Sequence, residues 1–306
     1  MSPSGDSYSA TAEVGNRRQR RSRWQRMWIA LKKAPLSAWF GMIVVFVYVV
    51  VALFAPLLAP YGEAQIFPAP YAPWDETHTF GTDQIGRDIF SRLIYGARNT
   101  MGIALVTTLL SFLIGGTLGL IAAISRGWLD QILSRFVDVL MAIPSLIFAL
   151  MLLSIFGSTV TSLIVIIAVL DSTRVFRLTR SVAVNVAVMD YVEAARLRGE
   201  KVGWVMRREI LPNIMPPLIA EFGLRFSFVF LTIAALSFLG VGIQPPTADW
   251  GSMVRENASL IQFAKYDLKA AFTPLLPAAA IAFLTVAVNF IVDWFLHQTS
   301  GLRDDL

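Results

Sequence analysis

The sequence contains no cysteine and only two histidines, His78 and His297, which lie far apart along the chain. Without thiols the chain forms no disulfide, iron–sulfur cluster or thiolate metal site, and two distant histidines leave little scope for a histidine-rich metal site. Charge is scarce as well: 15% of the 306 residues are charged, 56% are hydrophobic, and the mean hydropathy is +0.61. Soluble domains carry about 25% charged residues. The composition therefore predicts a polytopic membrane protein.

The formal net charge of +5 comes from arginines and lysines that cluster beside hydrophobic segments. Orientation in a bilayer explains this placement better than nucleic-acid binding does. Residues 1–37 are first rich in Ser, Gly and Thr and then basic, and they predict a cytoplasmic basic tail. The apolar run that follows is too long for a cleaved signal peptide and lacks a small-residue cleavage site, so it predicts a signal anchor.

The hydrophobic runs predict an all-α membrane protein with six transmembrane helices, because a helix needs about 20 apolar residues to cross the hydrocarbon core. The predicted spans are residues 38–58, 101–124, 136–156, 158–175, 225–241 and 274–296. With the N-terminus in the cytoplasm, the inner segments carry 19 Lys and Arg, counted over residues 1–37, 125–135, 172–224 and 297–306. The outer segments carry 6, counted over residues 59–100, 157–162 and 244–274. The positive-inside rule therefore places both termini in the cytoplasm, together with residues 176–224. The C-terminal tail is residues 298–306. Residues 59–100 and 242–273 are predicted to lie outside the cytoplasm.

Residues 59–100 contain Gly81 and Gly86 at the spacing of a phosphate-binding loop. Arg87 and Asp88 stand where such a loop needs Lys and Ser or Thr, and no buried strand precedes it, so we reject the match. We predict instead a turn followed by an interfacial helix. Its apolar side would carry Ile89, Phe90, Leu93 and Ile94, with Arg87, Arg92 and Arg98 elsewhere. In the second predicted span, Gly115 and Gly119 form a small-xxx-small pair, which indicates a packed bundle or a subunit interface.

A charged stretch from Asp190 to Pro212 lies between hydrophobic runs and predicts two short helices joined by a tight turn. Asp190 is expected to cap the first helix, with Glu193 completing a capping-box-like pair. Gly199 stands where a left-handed helix stop requires a residue without Cβ. Pro212 is expected to end the second helix. A helix of about nine residues is marginal alone in water, so we expect a partner to hold the first one.

Several motifs, in order along the chain, resemble those of permease subunits of binding-protein-dependent ABC importers. Glu193-Ala194-Ala195, Gly199 and Ile210-Leu211-Pro212 resemble the EAA signature of these subunits. Other motifs are similar to the dipeptide and oligopeptide branch: Tyr191-Val192, Phe80-Gly81-Thr82-Asp83 with Gly86-Arg87-Asp88, Tyr95-Gly96-Ala97-Arg98, Ala142-Ile143-Pro144-Ser145 and Leu236-Ser237-Phe238-Leu239-Gly240-Val241-Gly242.

Two positions depart from the pattern of the family. Glu209 replaces an isoleucine, as is frequent in this branch, and Asp171 replaces an expected aromatic residue, which leaves a changed role open.

The resemblance implies a type I ABC importer permease fold with residues 101–297 as its core, in the bacterial plasma (inner) membrane. The implied partners are a second homologous permease subunit, two ATP-binding subunits, an extracytoplasmic solute-binding protein and membrane lipid. ATP and Mg²⁺ would be bound by the ATPase subunits, because this chain has no acceptable Walker A sequence. Neither a catalytic residue nor a cofactor or metal is expected in this chain.

Di- and oligopeptides are the implied cargo, with a nickel complex, an opine or another small solute as alternatives. A self-contained channel or secondary transporter is the alternative class, although it would not need a capped helix pair in the cytoplasm. A membrane-embedded enzyme would need paired aspartates or a His/Glu metal set in its spans, and the predicted spans contain neither.

By the same resemblance, residues 176–224 form the loop that couples the permease to an ATPase. The residues that match the motif are Tyr191, Glu193, Ala194, Ala195, Arg196, Gly199, Ile210, Leu211 and Pro212. In this interpretation Ala194 and Ala195 allow close approach to the ATPase, whereas Glu193 and Arg196 make polar contacts.

Ionisable residues at membrane depth are the candidates for the solute path. Asp171 and Arg174 lie one helical turn apart, and Glu221 and Arg225 lie four residues apart. In each pair the two side chains are expected either to neutralise each other's charge or to line the solute path. Asn289 is expected to face the path or to hydrogen-bond another helix, and the sequence does not choose between these roles.

Overall fold

The computed structural model describes residues 31–125 and 127–299, and the chain from Leu36 onward is mostly helical. Its α-helices are α1 (Leu36–Leu53), α2 (Ala55–Leu58), α3 (Ile89–Ser125), α4 (Trp128–Ala142), α5 (Ser145–Phe156), α6 (Val160–Val186), α7 (Asp190–Leu197), α8 (Val202–Val205), α9 (Leu211–Phe238), α10 (Trp250–Asn257) and α11 (Leu268–Thr299). A π-helical turn, Met206–Ile210, joins α8 to α9, and a 3₁₀ helix, Ala258–Lys265, follows α10. Most of the predicted basic tail and the C-terminal tail from residue 300 lie outside the described residues.

Four helical segments are long and apolar enough to cross a membrane: Leu36–Leu53, Ile89–Ser125, Val202–Phe238 and Leu268–Gln298. The pair α4 and α5 makes a fifth if it counts as one span, although the two helices meet at a bend of 89°. Helix α6 corresponds to the fourth predicted span, but three charged side chains lie within its first 18 residues. The described ranges thus form an all-α membrane protein with four or five such helices, where six were predicted.

Three predicted spans are parts of longer helices. Helix α3 joins the predicted interfacial helix and the second span into one helix of 37 residues. Helix α6 continues to Val186, and the fifth span, predicted from residue 225, is the end of a helical stretch that begins at Val202. Hydropathy marks only the lipid-facing part of each helix, whereas the backbone hydrogen bonds continue beyond it. The helices therefore extend beyond the predicted spans, and the limits of the spans themselves stay a prediction.

The third predicted span, residues 136–156, is interrupted between α4 and α5. Ile143 is extended, with φ −93° and ψ 133°, and Pro144 follows with φ −53° and ψ 121°. Proline lacks an amide N–H and disfavours the helical conformation of the residue before it. The run therefore forms two helices at a sharp angle instead of one straight span.

Helices α3 and α6 pack closely, and glycines permit their approach. A Cβ at Gly115 would meet the carbonyl oxygen of Ser172 and lie 2.8 Å from the Cβ of Val175. A Cβ at Gly119 would lie 2.8 Å from the carbonyl oxygen of Phe176. The small-xxx-small pair therefore packs against another helix of the same chain. Of the two predicted alternatives, a packed bundle and a subunit interface, the structure shows the packed bundle.

Replacing Gly115 by valine is expected to lower the thermal unfolding midpoint of the purified protein, because overpacking a close contact costs about 1–3 kcal/mol. The matched control is Gly116→Val, since no heavy atom lies within 4 Å of a Cβ built at Gly116. Thermal unfolding of both variants in the same detergent measures the difference. Equal midpoints would contradict the role assigned to Gly115.

The largest hydrophobic core surrounds Trp250 of α10, which is 2% exposed. Its ring lies edge-on to Tyr48 of α1 and Phe230 of α9, with centroid distances of 5.6 and 6.2 Å. The indole N–H donates to the carbonyl of Leu93 in α3 at 2.9 Å. One side chain thus joins four helices.

The beginning of α3 is held by buried ionic groups. Arg87 and Arg92 are 2% and 1% exposed. Arg87 donates to Asp83 at 2.6 Å and to Glu256 of α10 at 2.7 Å, and Arg92 Nε lies 3.6 Å from Asp83 Oδ2. The prediction that Arg87 and Arg92 lie outside the packed side of an interfacial helix was wrong, because α10 brings a carboxylate that neutralises them when they are buried.

Candidate functional site

Helix α7 carries the EAA-like motif and ends in a left-handed turn. Gly199 has φ +82°. The N–H of Glu200 donates to the carbonyl of Ala195 at 3.3 Å, and the N–H of Gly199 donates to that of Arg196 at 2.9 Å. These two bonds form a Schellman motif, which favours glycine at the residue with positive φ. The predicted left-handed helix stop at Gly199 is confirmed.

The start of α7 differs from the prediction. Met189 is the N-cap residue, with extended backbone angles of φ −74° and ψ 146°, and no side chain caps the helix. Asp190 is the first helical residue, so its side chain is not in the capping position and the predicted capping-box-like pair was wrong. Asp190 and Glu193 both lie in the first turn, where their charges favour the helix dipole.

Helix α7 is supported by its own chain. Val192 and Ala195 are fully buried and belong to a hydrophobic cluster with Val205, Ile210 and Ile214. Residues three apart lie on the same face of a helix, and this face of α7 points inward. Ala195 therefore faces the core of the chain, where the prediction had it approach an ATPase. That a partner holds the helix stays a prediction.

The opposite face of α7 is open. The motif residues Tyr191, Glu193, Ala194 and Arg196 are exposed there, together with Leu197, which is 82% exposed. Further exposed apolar residues lie beside the helix in sequence: Val188, Met189, Val202 and Trp204. Contiguous exposed apolar residues with a polar rim mark interaction sites. We call this set of nine residues the α7 face.

Pro212 lies within the helical stretch Val202–Phe238 and does not end it. The π-helical turn Met206–Ile210 precedes it, and the Asn213 side chain donates to the Glu209 carbonyl at 2.6 Å. The wider π-helical turn precedes the proline, which has no amide N–H to donate to the preceding turn. The second helix of the predicted pair is therefore continuous with the fifth predicted span.

The three motif residues at this turn differ in exposure. Ile210 is fully buried in the cluster that holds α7, Leu211 is half-buried and Pro212 is exposed. Ile210 therefore connects α7 to α9 by packing and has no exposed surface to offer a partner.

A charged cluster lies inside the bundle, where Arg225 of α9 stands between two carboxylates. Its Nε is 2.7 Å from Glu221 Oε1, and its Nη1 is 3.6 Å from Asp171 Oδ1 of α6. The hydroxyl of Ser111 in α3 donates to Asp171 Oδ2 at 2.8 Å. The predicted pairing of Glu221 with Arg225 is confirmed. Asp171 pairs with Arg225 across helices, and among the described residues it forms no salt bridge with Arg174, the first of the two predicted alternatives. The second alternative, that these residues line the solute path, stays a prediction.

Arg174 is exposed, and its Cζ lies 5.8 Å from the centre of the Phe228 ring. Asn289 is half-buried on α11, and within the described ranges its side chain forms no hydrogen bond to another helix. Ser111 and Phe228 also belong to this cluster and were not predicted. A serine or a phenylalanine in an apolar helix carries no signal of such a role, because only the packing of three helices brings them to the charges.

Residues 115–298 match the family described as "Binding-protein-dependent transport system inner membrane component". The chain belongs to this family. Residues 22–74 also match the N-terminal TM domain of oligopeptide transport permease C. The protein is thus a multi-pass permease subunit of the bacterial inner membrane, and as such it is not itself a catalytic subunit.

Curated relatives of this permease match almost their whole length. The dipeptide transport system permease protein DppC of Alkalihalophilus pseudofirmus is 34% identical, over 93% of this chain and 90% of the relative. The glutathione transport system permease protein GsiD of Pectobacterium atrosepticum is 31% identical, over 97% and 95% of the two chains. The di/tripeptide transport system permease protein DppC of Pseudomonas aeruginosa is 35% identical, over 87% and 86%.

Among solved structures, the permease resembles a chain of the MetNI methionine ABC transporter in an inward-facing conformation, with a TM-score of 0.52 and 18% identity. The match covers 68% of this permease and 97% of that chain. At this identity the likeness shows the fold alone, and the fold is that of an ABC importer permease.

Proposed function

We propose that this permease imports di- and oligopeptides as part of an ATP-driven complex. The complex would contain a second homologous permease subunit, two ATP-binding subunits and an extracytoplasmic binding protein that delivers the peptide. Three relatives are named as permeases for dipeptides, glutathione and di/tripeptides, which supports peptides as the cargo. ATP and Mg²⁺ belong to the ATPase subunits in this proposal.

The observation that carries the proposal is the α7 face. Val192 and Ala195 pack the buried side of α7 against the chain, so the exposed side forms a rigid ridge with Leu197 at its end. An ATPase groove that receives this ridge would move α7 when the ATPases close. The movement would reach α9 through Ile210, because α8, the π-helical turn and α9 are continuous. Coupling of this kind requires that the ATPase surface and α7 move together.

The proposed topology has six spans, with α6 as the fourth, and both termini in the cytoplasm. The loop with α7 then lies on the ATPase side, and the ionic segment of Arg87 and Glu256 lies on the side of the binding protein. The distribution of 19 inner against 6 outer Lys and Arg supports this orientation.

Replacing Leu197 by glutamate is expected to reduce ATPase co-purification with the permease at least about tenfold, because a charge would be buried in an apolar contact. Purification of the assembled complex and uptake of labelled dialanine measure the two effects. The matched control is Leu268→Glu, which alters an exposed leucine (64%) at the start of α11, away from the α7 face in sequence. Unchanged ATPase recovery with Leu197→Glu would refute the proposed contact, and lack of peptide uptake by the unsubstituted complex would refute the cargo.

A topology reporter fused after Ser158 is expected to lie outside the cytoplasm, and one fused after Glu200 is expected to lie inside. Alkaline phosphatase and green fluorescent protein fusions distinguish the two sides, because each is active on one side only. The reverse pattern, or both positions on one side, would overturn the six-span proposal.

A further inference from the structure

A small polar cavity lies beside the charged cluster, between α5, α6 and α9. Its volume is about 200 Å³, and its polar lining includes Arg174, Asp171, Ser145 and Thr232, with the Phe228 ring as one of the apolar walls. The bend at Pro144 places the first residue of α5 at this cavity.

The charged groups around the cavity differ in their ion-pair partners. Arg225 is 8% exposed and pairs with both Glu221 and Asp171. The second carboxylate oxygen of Asp171 accepts a hydrogen bond from the hydroxyl of Ser111. Among the residues that the structure describes, no carboxylate oxygen lies within 4.0 Å of the guanidinium nitrogens of Arg174. Both carboxylates of the cluster are therefore engaged by other groups, and Arg174 lines the cavity without a salt bridge among the described residues.

The surroundings of Arg174 suit a flat anionic ligand. The guanidinium groups of Arg174 and Arg225 lie 5.8 and 4.7 Å from the centre of the same Phe228 ring, and such contacts hold a guanidinium in place. A guanidinium binds a carboxylate through two parallel N–H···O bonds. Pockets for drug-sized molecules measure about 300–1,000 Å³, so this cavity fits one end of a peptide and not an entire oligopeptide.

We propose that this cavity binds the carboxylate of the transported solute during its passage, with Arg174 as the residue that contacts it. The inference rests on the proposed function, because a peptide with a free C-terminus carries the required group. Asp171 has a separate role here: it keeps Arg225 neutralised so that Arg174 remains available to the solute.

Cysteine substitution tests the site directly, since the chain has no cysteine of its own. Arg174→Cys is expected to reduce dialanine uptake at least about tenfold, from the loss of a charge-assisted contact. A thiol reagent that carries an ammonium group should restore uptake, and one that carries a sulfonate should not. Dialanine-loaded binding protein with ATP should slow the labelling of the thiol at position 174.

The matched control is Arg177→Cys, one turn further along α6. Arg177 pairs with Asp138 at 2.6 Å, and both side chains are about half-exposed. Uptake by this variant should change less than about twofold, and dialanine should not protect its thiol. The unsubstituted complex measures background labelling of the partner subunits.

The outcomes separate the alternatives. Unchanged uptake by Arg174→Cys, equal rescue by both reagents, or labelling that dialanine does not slow would overturn the inference. Loss of uptake without protection would show that transport needs Arg174 but that the solute does not contact it, which also overturns the inference. If the unsubstituted complex imports no dialanine, peptide import itself is refuted and this inference fails with it.

Discussion

Replacing Asp83 by alanine is expected to destabilise the permease by about 3–5 kcal/mol, the cost of breaking a buried ion pair from one side. Asp83 is fully buried, and its Oδ2 accepts from Arg87 Nε at 2.6 Å. Its Oδ1 accepts the backbone N–H groups of Ile85 and Arg87 at 3.0 and 2.9 Å. The variant would leave two buried guanidinium groups, those of Arg87 and Arg92, to share the carboxylate of Glu256.

The thermal unfolding midpoint of the purified protein measures this effect, and a decrease on the order of 10 °C is expected. The matched control is Asp138→Ala, which breaks the half-exposed pair with Arg177 and should cost less than about 1 kcal/mol. Asp83→Asn should fall between the two, because it keeps an acceptor for the backbone and loses the charge. If Asp83→Ala unfolds at the temperature of Asp138→Ala, the buried ionic groups do not hold this segment.

The contrast between these two aspartates shows which interactions the sequence reveals. Gly199 and the pair of Glu221 with Arg225 were predicted correctly, because a helix stop and an i, i+4 contact depend on neighbours within one turn. The partners of Arg87 and Asp171 were not, because Glu256 and Arg225 lie on other helices and far along the chain. In a membrane protein hydropathy identifies apolar helices, but it does not tell which polar residues are buried between them.

The α7 face was predicted only in part for a related reason. The motif identified the helix and its stop, but it did not show that Val192 and Ala195 face inward. They are buried in a cluster with Val205 and Ile214, which lie on either side of Pro212 in one continuous helical stretch. The sequence predicted that the helix ends at this proline, because the π-helical turn that precedes the proline has no evident sequence signature.

Replacing Gly199 by valine is expected to abolish solute-dependent uptake and to weaken ATPase attachment while membrane insertion stays intact. Gly199 has φ +82°, and no heavy atom lies within 4 Å of a Cβ built there. The variant therefore meets no steric obstacle from neighbours, and its cost is backbone strain of about 1–2 kcal/mol or more for a β-branched residue. Relief of that strain would open the Schellman turn and reorient the exposed end of α7 relative to α8.

Two controls separate this effect from a general loss of folding. Gly203→Val places the same side chain four residues further on, in α8, where the backbone is helical and nothing lies within 4 Å of the added Cβ. Gly199→Asn keeps a residue that tolerates positive φ. Both controls should retain ATPase attachment and most of the uptake, and all three variants should reach the membrane in equal amounts. Normal uptake by Gly199→Val would show that the left-handed turn is dispensable, and transmission through α7 would then have to be abandoned.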